Sequence, residues 1–314
     1  MHKQIDILGL GCTAVDELLY VDAYPAEDGK VPVRRRERQC GGLTATAIVA
    51  GARLGCRCTF AGTLGNDDAS QFVVERFREE GIDVSLVCRR EEARPVRATI
   101  IINPNRQTRT IFYDPKDVFG ADPHWPAEDV IQSARVLLVD DYGMEGMIRG
   151  ATICRAAGIP VVADFEIGGH PLFPTLLGLV DHLVLSRAFA EKLTGEHDPA
   201  AAARALWTPD RQAVVVTCGV EGSWYVTRER PGAAAHQPAV PVEAVDTTGC
   251  GDVFHGGYAA GLAHGWDIPT ALRFAATAAA LKAMQRGGQA GIPTRAAVEA
   301  RMATVPSPSG RGLG

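Results

Sequence analysis

Val245-Asp246-Thr247-Thr248-Gly249-Cys250-Gly251-Asp252-Val253-Phe254-His255-Gly256-Gly257 is the stretch around which the rest of the chain organises. Glycines at 249 and 251 let the backbone turn tightly and approach an anion, and a helix predicted to start near Asp252 aims unpaired N–H groups at the same point. A carboxylate at such a helix start lies where it can take a proton from a hydroxyl attacking a phosphoryl group. Alternatively, Asp246 and Thr247 form a turn and Asp252 only caps a helix; spacing alone divides the two evenly.

Downstream of this stretch, residues 252–264, 268–286 and 294–302 read as successive alanine-rich helices, and residues 305–314 as a disordered tail. Upstream, apolar runs at 136–139, 161–163, 183–185 and 214–217 are separated by helix-length segments, the pattern of a parallel sheet with crossover helices. Residues 5–11 read as the first strand of that sheet, 42–54 and 69–80 as helices, and 58–63 as a strand. Two polar hairpins, 15–21 with 31–39 and 97–102 with 109–113, flank turn residues at 24–29 and 103–105 and predict a second, small sheet. The expected fold is therefore α/β, with no internal repeat and no linker long enough to separate domains.

With 314 residues, 46% hydrophobic and 22% charged, the chain has the make-up of an enzyme-sized globular protein. A formal net charge of −5 and short basic runs of mixed sign, such as Arg34 to Arg36 before Glu37, argue against a nucleic-acid surface and for a small-molecule partner. Eight cysteines without paired CxxC spacing read as reduced thiols rather than zinc ligands or disulfides. The polar N-terminus lacks a signal-peptide pattern, and no segment approaches the roughly 20 apolar residues of a membrane span. A cytoplasmic protein with no membrane partner is expected.

Asp246 to Gly256 resembles the second signature of the ribokinase-like (PfkB) carbohydrate kinases, Asp-Thr-x-Gly-Ala-Gly-Asp, with Cys250 in place of the alanine. Gly41-Gly42 with Ala45, Ala47, Arg53-Leu54-Gly55, Gly62, Gly65 and Asp67-Asp68 resembles the first signature, and the likeness runs to about residue 293. It implies a three-layer fold in one domain over residues 1–304, with a central, mostly parallel sheet between helices and a β-lid from segments near 14–40 and 96–114. It further implies ATP and Mg2+ as cofactors, a homodimer through the lids, Asp252 as the catalytic base, and Gly249, Cys250 and Gly251 as an anion hole. Thr217 to Gly222 is similar to the family's nucleotide-contacting Thr-x-Gly-x-x-Gly turn, which assigns Thr217, Gly219, Gly222, Ser186 and Gly288 to the nucleotide. Arg286 to Pro293 resembles the loop beside the adenine and a monovalent cation, so Asp246, Thr248, Gly288 and Gly291 become candidate K+ ligands.

At the sugar end, Asp16 lies where a carboxylate can accept two hydroxyl hydrogen bonds, and the resemblance adds Gly41, Gly42, Thr46, Lys30 and Arg109. A dinucleotide-binding reading of Gly9, Gly11 and Ala14 fails, because hairpin sequence with Pro25 and Gly29 follows instead of a helix. Within the family, sulfofructose kinase and ketohexokinase are nearest in appearance, yet Tyr113 and Tyr142 stand where the former supplies further sulfonate contacts beside Lys30. Ser186 and Phe189 replace the Asn-x-x-Glu pair that helps organise magnesium, leaving Asp164 or Glu166 for that role. Two other functions fit the same residues. One is a nucleoside or sugar-phosphate kinase, with Tyr20, Tyr24, Phe112 and Tyr113 as walls; the other is a sugar-binding regulator without catalysis.

Overall fold

The computed structural model of the protein describes residues 4–106 and 108–304; the tail expected at 305–314 falls outside them. The continuous apolar runs become strands buried on both faces, Ile5–Leu10, Ala134–Val139, Val161–Asp164, His182–Ser186 and Ala213–Thr217, and they pair in parallel. Side chains alternate between two cores. Ile7, Val136, Leu138, Val162, Val184 and Val215 face one, while Leu8, Leu137, Val139, Val161, Leu183 and Val216 face the other. The first core is closed by helices Leu43–Arg53, Asp68–Glu79, Cys250–Ala263 and Ile268–Ala283, and the second by Met144–Ala156, Phe173–Leu179, Arg187–Thr194 and Pro199–Leu206. This is the expected three-layer α/β arrangement.

Some boundaries differ from the sequence-based expectation, each for a local reason. Ile5–Leu10 is first in the chain but lies inside the sheet, between Cys58–Phe60 and Ala134–Val139. The 58–63 segment breaks into Cys58–Phe60 and Thr63–Leu64, because the latter leaves the main sheet to pair with Cys88–Arg89. Two unanticipated strands, Ser223–Thr227 and Ala235–Gln237, extend the other edge in antiparallel fashion. Helix Cys250–Ala263 starts two residues before Asp252 because Gly249, at φ 75°, is its N-cap.

Among the described residues, a second sheet has four strands in the order Arg35–Gly41, Ala14–Tyr20, Val96–Asn103 and Thr108–Asp114. Both hairpins form as expected. They join through parallel pairing that runs from Ala14 opposite Val96 to Tyr20 opposite Ile102. The register puts Asp16, Ala98 and Tyr113 in one row, Leu18, Ile100 and Ile111 in the next, and Tyr20, Ile102 and Arg109 in a third, all on one face. Leu18, Tyr20, Ala98 and Ile100 form the buried apolar centre of this face, whereas Tyr113 remains 64% exposed. A cleft of about 550 Å³ opens beside this sheet, lined by Val15, Glu17, Arg97 and Phe112 of the opposite face together with Ala98 and Tyr113, and Asp252 does not line it.

Candidate active site

Gly249 has the left-handed backbone that favours glycine, and a Cβ there would lie 2.9 Å from the carbonyl oxygen of Gly288. The 246–249 turn and the 286–293 loop therefore meet at glycine backbone. Helix Cys250–Ala263 follows, and no side chain caps it. Asp252 is thus in its first turn and is not the cap, which removes the helix-capping alternative for this residue. Among the described residues its carboxylate has no hydrogen-bond partner. Burial pushes its pKa well above the ordinary carboxylate range, with Asp164 and Glu166 adding to the rise.

The anion cradle differs in one amide from the expectation. Cys250 N–H donates to the Thr247 carbonyl at 3.2 Å and closes the turn, so it is not available to a ligand; the N–H groups of Gly251 and Asp252 have no partner among the described residues. The Cys250 side chain turns away, with Sγ 3.6 Å from the Ala279 carbonyl oxygen. Nothing lies within 4 Å of a Cβ built on Gly251, which leaves open space over the helix start. Arg109 reaches across from the small sheet, and its guanidinium donates to Thr248 Oγ1. That contact carries a cation to the anion cradle.

Asp16 sits on the inner face of the small sheet, where burial raises its pKa to about 6 and no described group donates to its carboxylate. A Cβ at Gly41 would come 2.5 Å from Asp16 Oδ2, so glycine at 41 makes room for that carboxylate. Gly42, at φ 98°, starts helix Leu43–Arg53 against the backbone of Thr13 and Ala14. Thr46 departs from its expected place on the sugar. It is 1% exposed and accepts a hydrogen bond from Gln289 Nε2 at 3.2 Å, so it ties the 286–293 loop to the helix instead of lining the pocket. Lys30 is exposed between the first two strands of the small sheet, with no ion pair among the described residues.

At the carboxyl ends of the parallel strands, where ligands of open α/β sheets bind, lie the residues proposed for nucleotide and magnesium. Ser186 caps helix Arg187–Thr194 by accepting from Phe189 N–H at 3.2 Å, while the Phe189 ring packs on Phe173 in the core. Thr217 donates to the Leu185 carbonyl at 3.3 Å, and Gly219 and Gly222 both take positive φ around a short helical turn. Asp164 is buried; burial, then Glu166, Asp140 and Asp141, raise its pKa, and burial raises that of Glu166. His255 Nδ1 is 3.2 Å from Asp164 Oδ2, but it is directed at the Gly251 carbonyl at 2.8 Å, which leaves that carboxylate oxygen unsatisfied.

Several residues that order this site went unnoticed in the sequence. Asp140, 0% exposed, accepts from Cys12 N–H at 2.8 Å, Thr44 Oγ1 at 2.7 Å and Tyr142 N–H at 2.8 Å, and burial holds its pKa near about 6. It also dictates Gly11, where a Cβ would fall 2.2 Å from Asp140 Oδ2. Arg53 Nη1 donates to the carbonyls of Gln289, Ala290 and Ile292. Lys282 Nζ donates to the Asp246 carbonyl at 2.9 Å; burial lowers its pKa, opposed by the neighbouring Cys250 and Asp246. The only forward signal was position: Asp140 ends an apolar strand and Arg53 falls within the first signature.

Asp246 Oδ1 accepts from Thr248 N–H and Oδ2 from Gly287 N–H, and these bonds together with Lys282 hold its pKa below the usual value despite burial. These residues do not fit the free monovalent cation expected at Asp246, Thr248, Gly288 and Gly291. Each Asp246 carboxylate oxygen already accepts an amide N–H, and the Lys282 ammonium on the Asp246 carbonyl would repel a second cation at the turn.

The model of the pfkB family of carbohydrate kinases matches residues 10–295. The chain belongs to that family. It is accordingly an ATP-dependent sugar kinase, a phosphotransferase with an alcohol acceptor. The Staphylococcus aureus ribokinase is 28% identical over 298 residues, covering 90% of this chain and 95% of the relative. A ribokinase-like protein of Agrobacterium tumefaciens superposes with a TM-score of 0.86 at 30% identity, covering 95% of this chain and 97% of that one. Arabidopsis thaliana ribokinase, complexed with ribose and ATP, shares the fold with a TM-score of 0.81 at 23% identity, over 96% and 99% of the two chains. As in this pfkB kinase's sequence, no described helix is long and apolar enough to cross a membrane.

Proposed function

We propose that the protein transfers the γ-phosphoryl group of Mg-ATP to a hydroxyl of a small uncharged sugar, with Asp252 as general base. The observation that carries this reading is the Asp252 carboxylate beside the Gly251 and Asp252 amides, all three without a partner among the described residues. In the reaction the sugar oxygen forms its bond to the γ-phosphorus as the bond to the β-phosphate oxygen breaks, the hydroxyl proton passes to Asp252, and ADP leaves. The helix N-terminus and Arg109 stabilise the charge on the phosphoryl oxygens. Asp16 holds the sugar by its hydroxyls. Ser186, Thr217, Gly219, Gly222 and Gly288 form the nucleotide side.

Magnesium fits with the nucleotide. Glu166 is close enough to add to the rise in the Asp164 pKa, and Asp164 keeps an unsatisfied buried oxygen, so a cation there would relieve both the repulsion and the unpaired oxygen. Among the described residues, no three acidic, histidine or cysteine side chains are arranged to hold an ion, so phosphates and water supply most ligands. Bound magnesium neutralises charge on the transferred group. The reading also comprises one catalytic unit over residues 1–304, a cytoplasmic location, and a homodimer formed through the small sheet, whose inner face exposes Ile111 and Tyr113.

ATP turnover measured over ketoses, pentoses, sugar acids and nucleosides tests the substrate class; a nucleoside preference or no turnover at all would refute it. A sulfonated sugar is expected to lose to its uncharged counterpart. Burial, then Cys12, Asp140 and Tyr113, raise the pKa of Tyr142, and Lys30 is the sole cation of that proposed trio. A tyrosine donates one hydrogen bond but carries no charge at neutral pH, and one charge-assisted contact is worth about 1.5 to 3 kcal/mol. Competition between fructose and 6-deoxy-6-sulfofructose should therefore favour fructose by roughly one to two orders of magnitude in kcat/KM. The reverse preference would show that Arg34 or Arg109 completes an anion site.

A further inference from the structure

Helix Ile268–Ala283 is mostly alanine and other apolar residues, yet its penultimate residue is a lysine with 0% exposure. A buried ammonium is retained in a fold only where oxygen atoms and opposite charge surround it. Lys282 meets that requirement at one place, the 246–249 turn, where Nζ donates to the Asp246 carbonyl at 2.9 Å. The same turn is fixed from other sides. Val245 and Asp246 N–H groups donate to the Ala283 carbonyl at 2.7 and 3.0 Å, and the Asp246 carboxylate binds the amides of Thr248 and Gly287. The turn leads directly into the helix start that carries Asp252.

We propose that the Lys282 ammonium is a tethered substitute for a free monovalent cation, so that this kinase works without K+ or NH4+. An ammonium group and a potassium ion carry the same charge and accept the same oxygen neighbours. Here the charge is covalently attached one residue before the Ala283 carbonyl that anchors Val245 and Asp246. A second monovalent cation on the Asp246 turn would face like-charge repulsion from the buried Lys282 ammonium and would share carboxylate oxygens that each already accept an amide N–H. Lys282 touches no reacting atom; it is a positioning residue that acts through Asp246 on the cradle. The inference rests on the kinase reading of that cradle.

The test titrates KCl and NH4Cl against tetramethylammonium chloride at constant ionic strength, with phosphoryl transfer and melting temperature both read on the full chain. Wild-type kcat and melting temperature are expected to be flat in K+. Lys282→Ala should lose at least about tenfold in kcat without added cation, by removing a positioning charge, and regain part of it saturably with K+ or NH4+ but not with tetramethylammonium. Its melting temperature should rise with K+. Lys282→Met, which fills the same space without charge, should lose activity and gain nothing from K+.

A wild-type enzyme activated by K+ overturns the proposal, as does a folded Lys282→Ala that K+ neither rescues nor stabilises. If Lys282→Ala does not fold, the wild-type titration decides alone. The melting curves need no substrate, so they report on the cation site even if no sugar is turned over, and failure of the kinase reading is told apart from failure of this one.

Discussion

Asp252→Asn should lower kcat by roughly 10² to 10⁴, the range for loss of a positioned base, while ATP and sugar still bind with near-normal affinity. The amide preserves the shape of the carboxylate but cannot take the hydroxyl proton, and the free amides of the helix start are untouched. A pH profile sharpens the test. Burial and the nearby Asp164 and Glu166 raise the pKa of Asp252, and a base acts only when deprotonated. The acid limb of kcat/KM should then lie above the ordinary carboxylate range and vanish in the asparagine variant. Near-normal turnover with binding intact would take Asp252 out of the chemistry.

Asp16→Ala should raise the sugar KM far more than the ATP KM, because the site loses two hydroxyl contacts that a hydrophobic neighbour cannot replace. Equal effects on both would make Asp16 structural. Stability supplies an independent check. The native pKa of about 6 exceeds the unfolded value near 3.9, so between these pH values the native state holds a proton that the unfolded chain has lost. The contribution of Asp16 to stability is complete below about pH 4 and declines as pH rises through about 6. Asp16→Asn, which mimics the protonated form, should therefore be more stable than wild type by about 1 to 3 kcal/mol at pH 7.5 and no more stable at pH 4. Urea melts at the two pH values measure this, and equal stabilities at pH 7.5 would contradict it.

The three-layer core and the small sheet were legible because they rest on period and punctuation. Doubly buried strands must be continuous runs of apolar residues, and the hairpins carried turn residues at 24–29 and 103–105. Ser223–Thr227 was not legible, since a short strand of mixed polar and aromatic residues lacks such a run, and its pairing with Ala213–Thr217 on one side and Ala235–Gln237 on the other is a tertiary fact. At the site, Asp252, Asp16 and the glycines stood out through motif and position. The roles of Cys250 N–H, Thr46 and Lys282 did not, because a backbone bond to Thr247, a partner 243 residues away and the inward turn of one helix face leave no local pattern. A lysine near the C-terminus of an alanine-rich helix ordinarily reads as a solvated charge that favours the helix dipole.

The parallel pairing of Ala14–Tyr20 with Val96–Asn103 has a bearing on how the molecule assembles. Each hairpin can zip up locally, but the seam between them closes a loop of about 80 residues that contains the Leu43–Arg53 and Asp68–Glu79 helices. Contacts of such sequence separation are entropically costly before the intervening chain has condensed. The seam should therefore form after the strand Ile5–Leu10 and its helices have found their core, and it should be among the first to open. Native-state hydrogen exchange would then resolve the four-stranded sheet as a separate, less protected cooperative unit. Asp16 and Arg109 belong to that unit while Asp252 belongs to the slower-exchanging one, so the acceptor half of the catalytic apparatus could melt and re-form while the phosphate half stays folded.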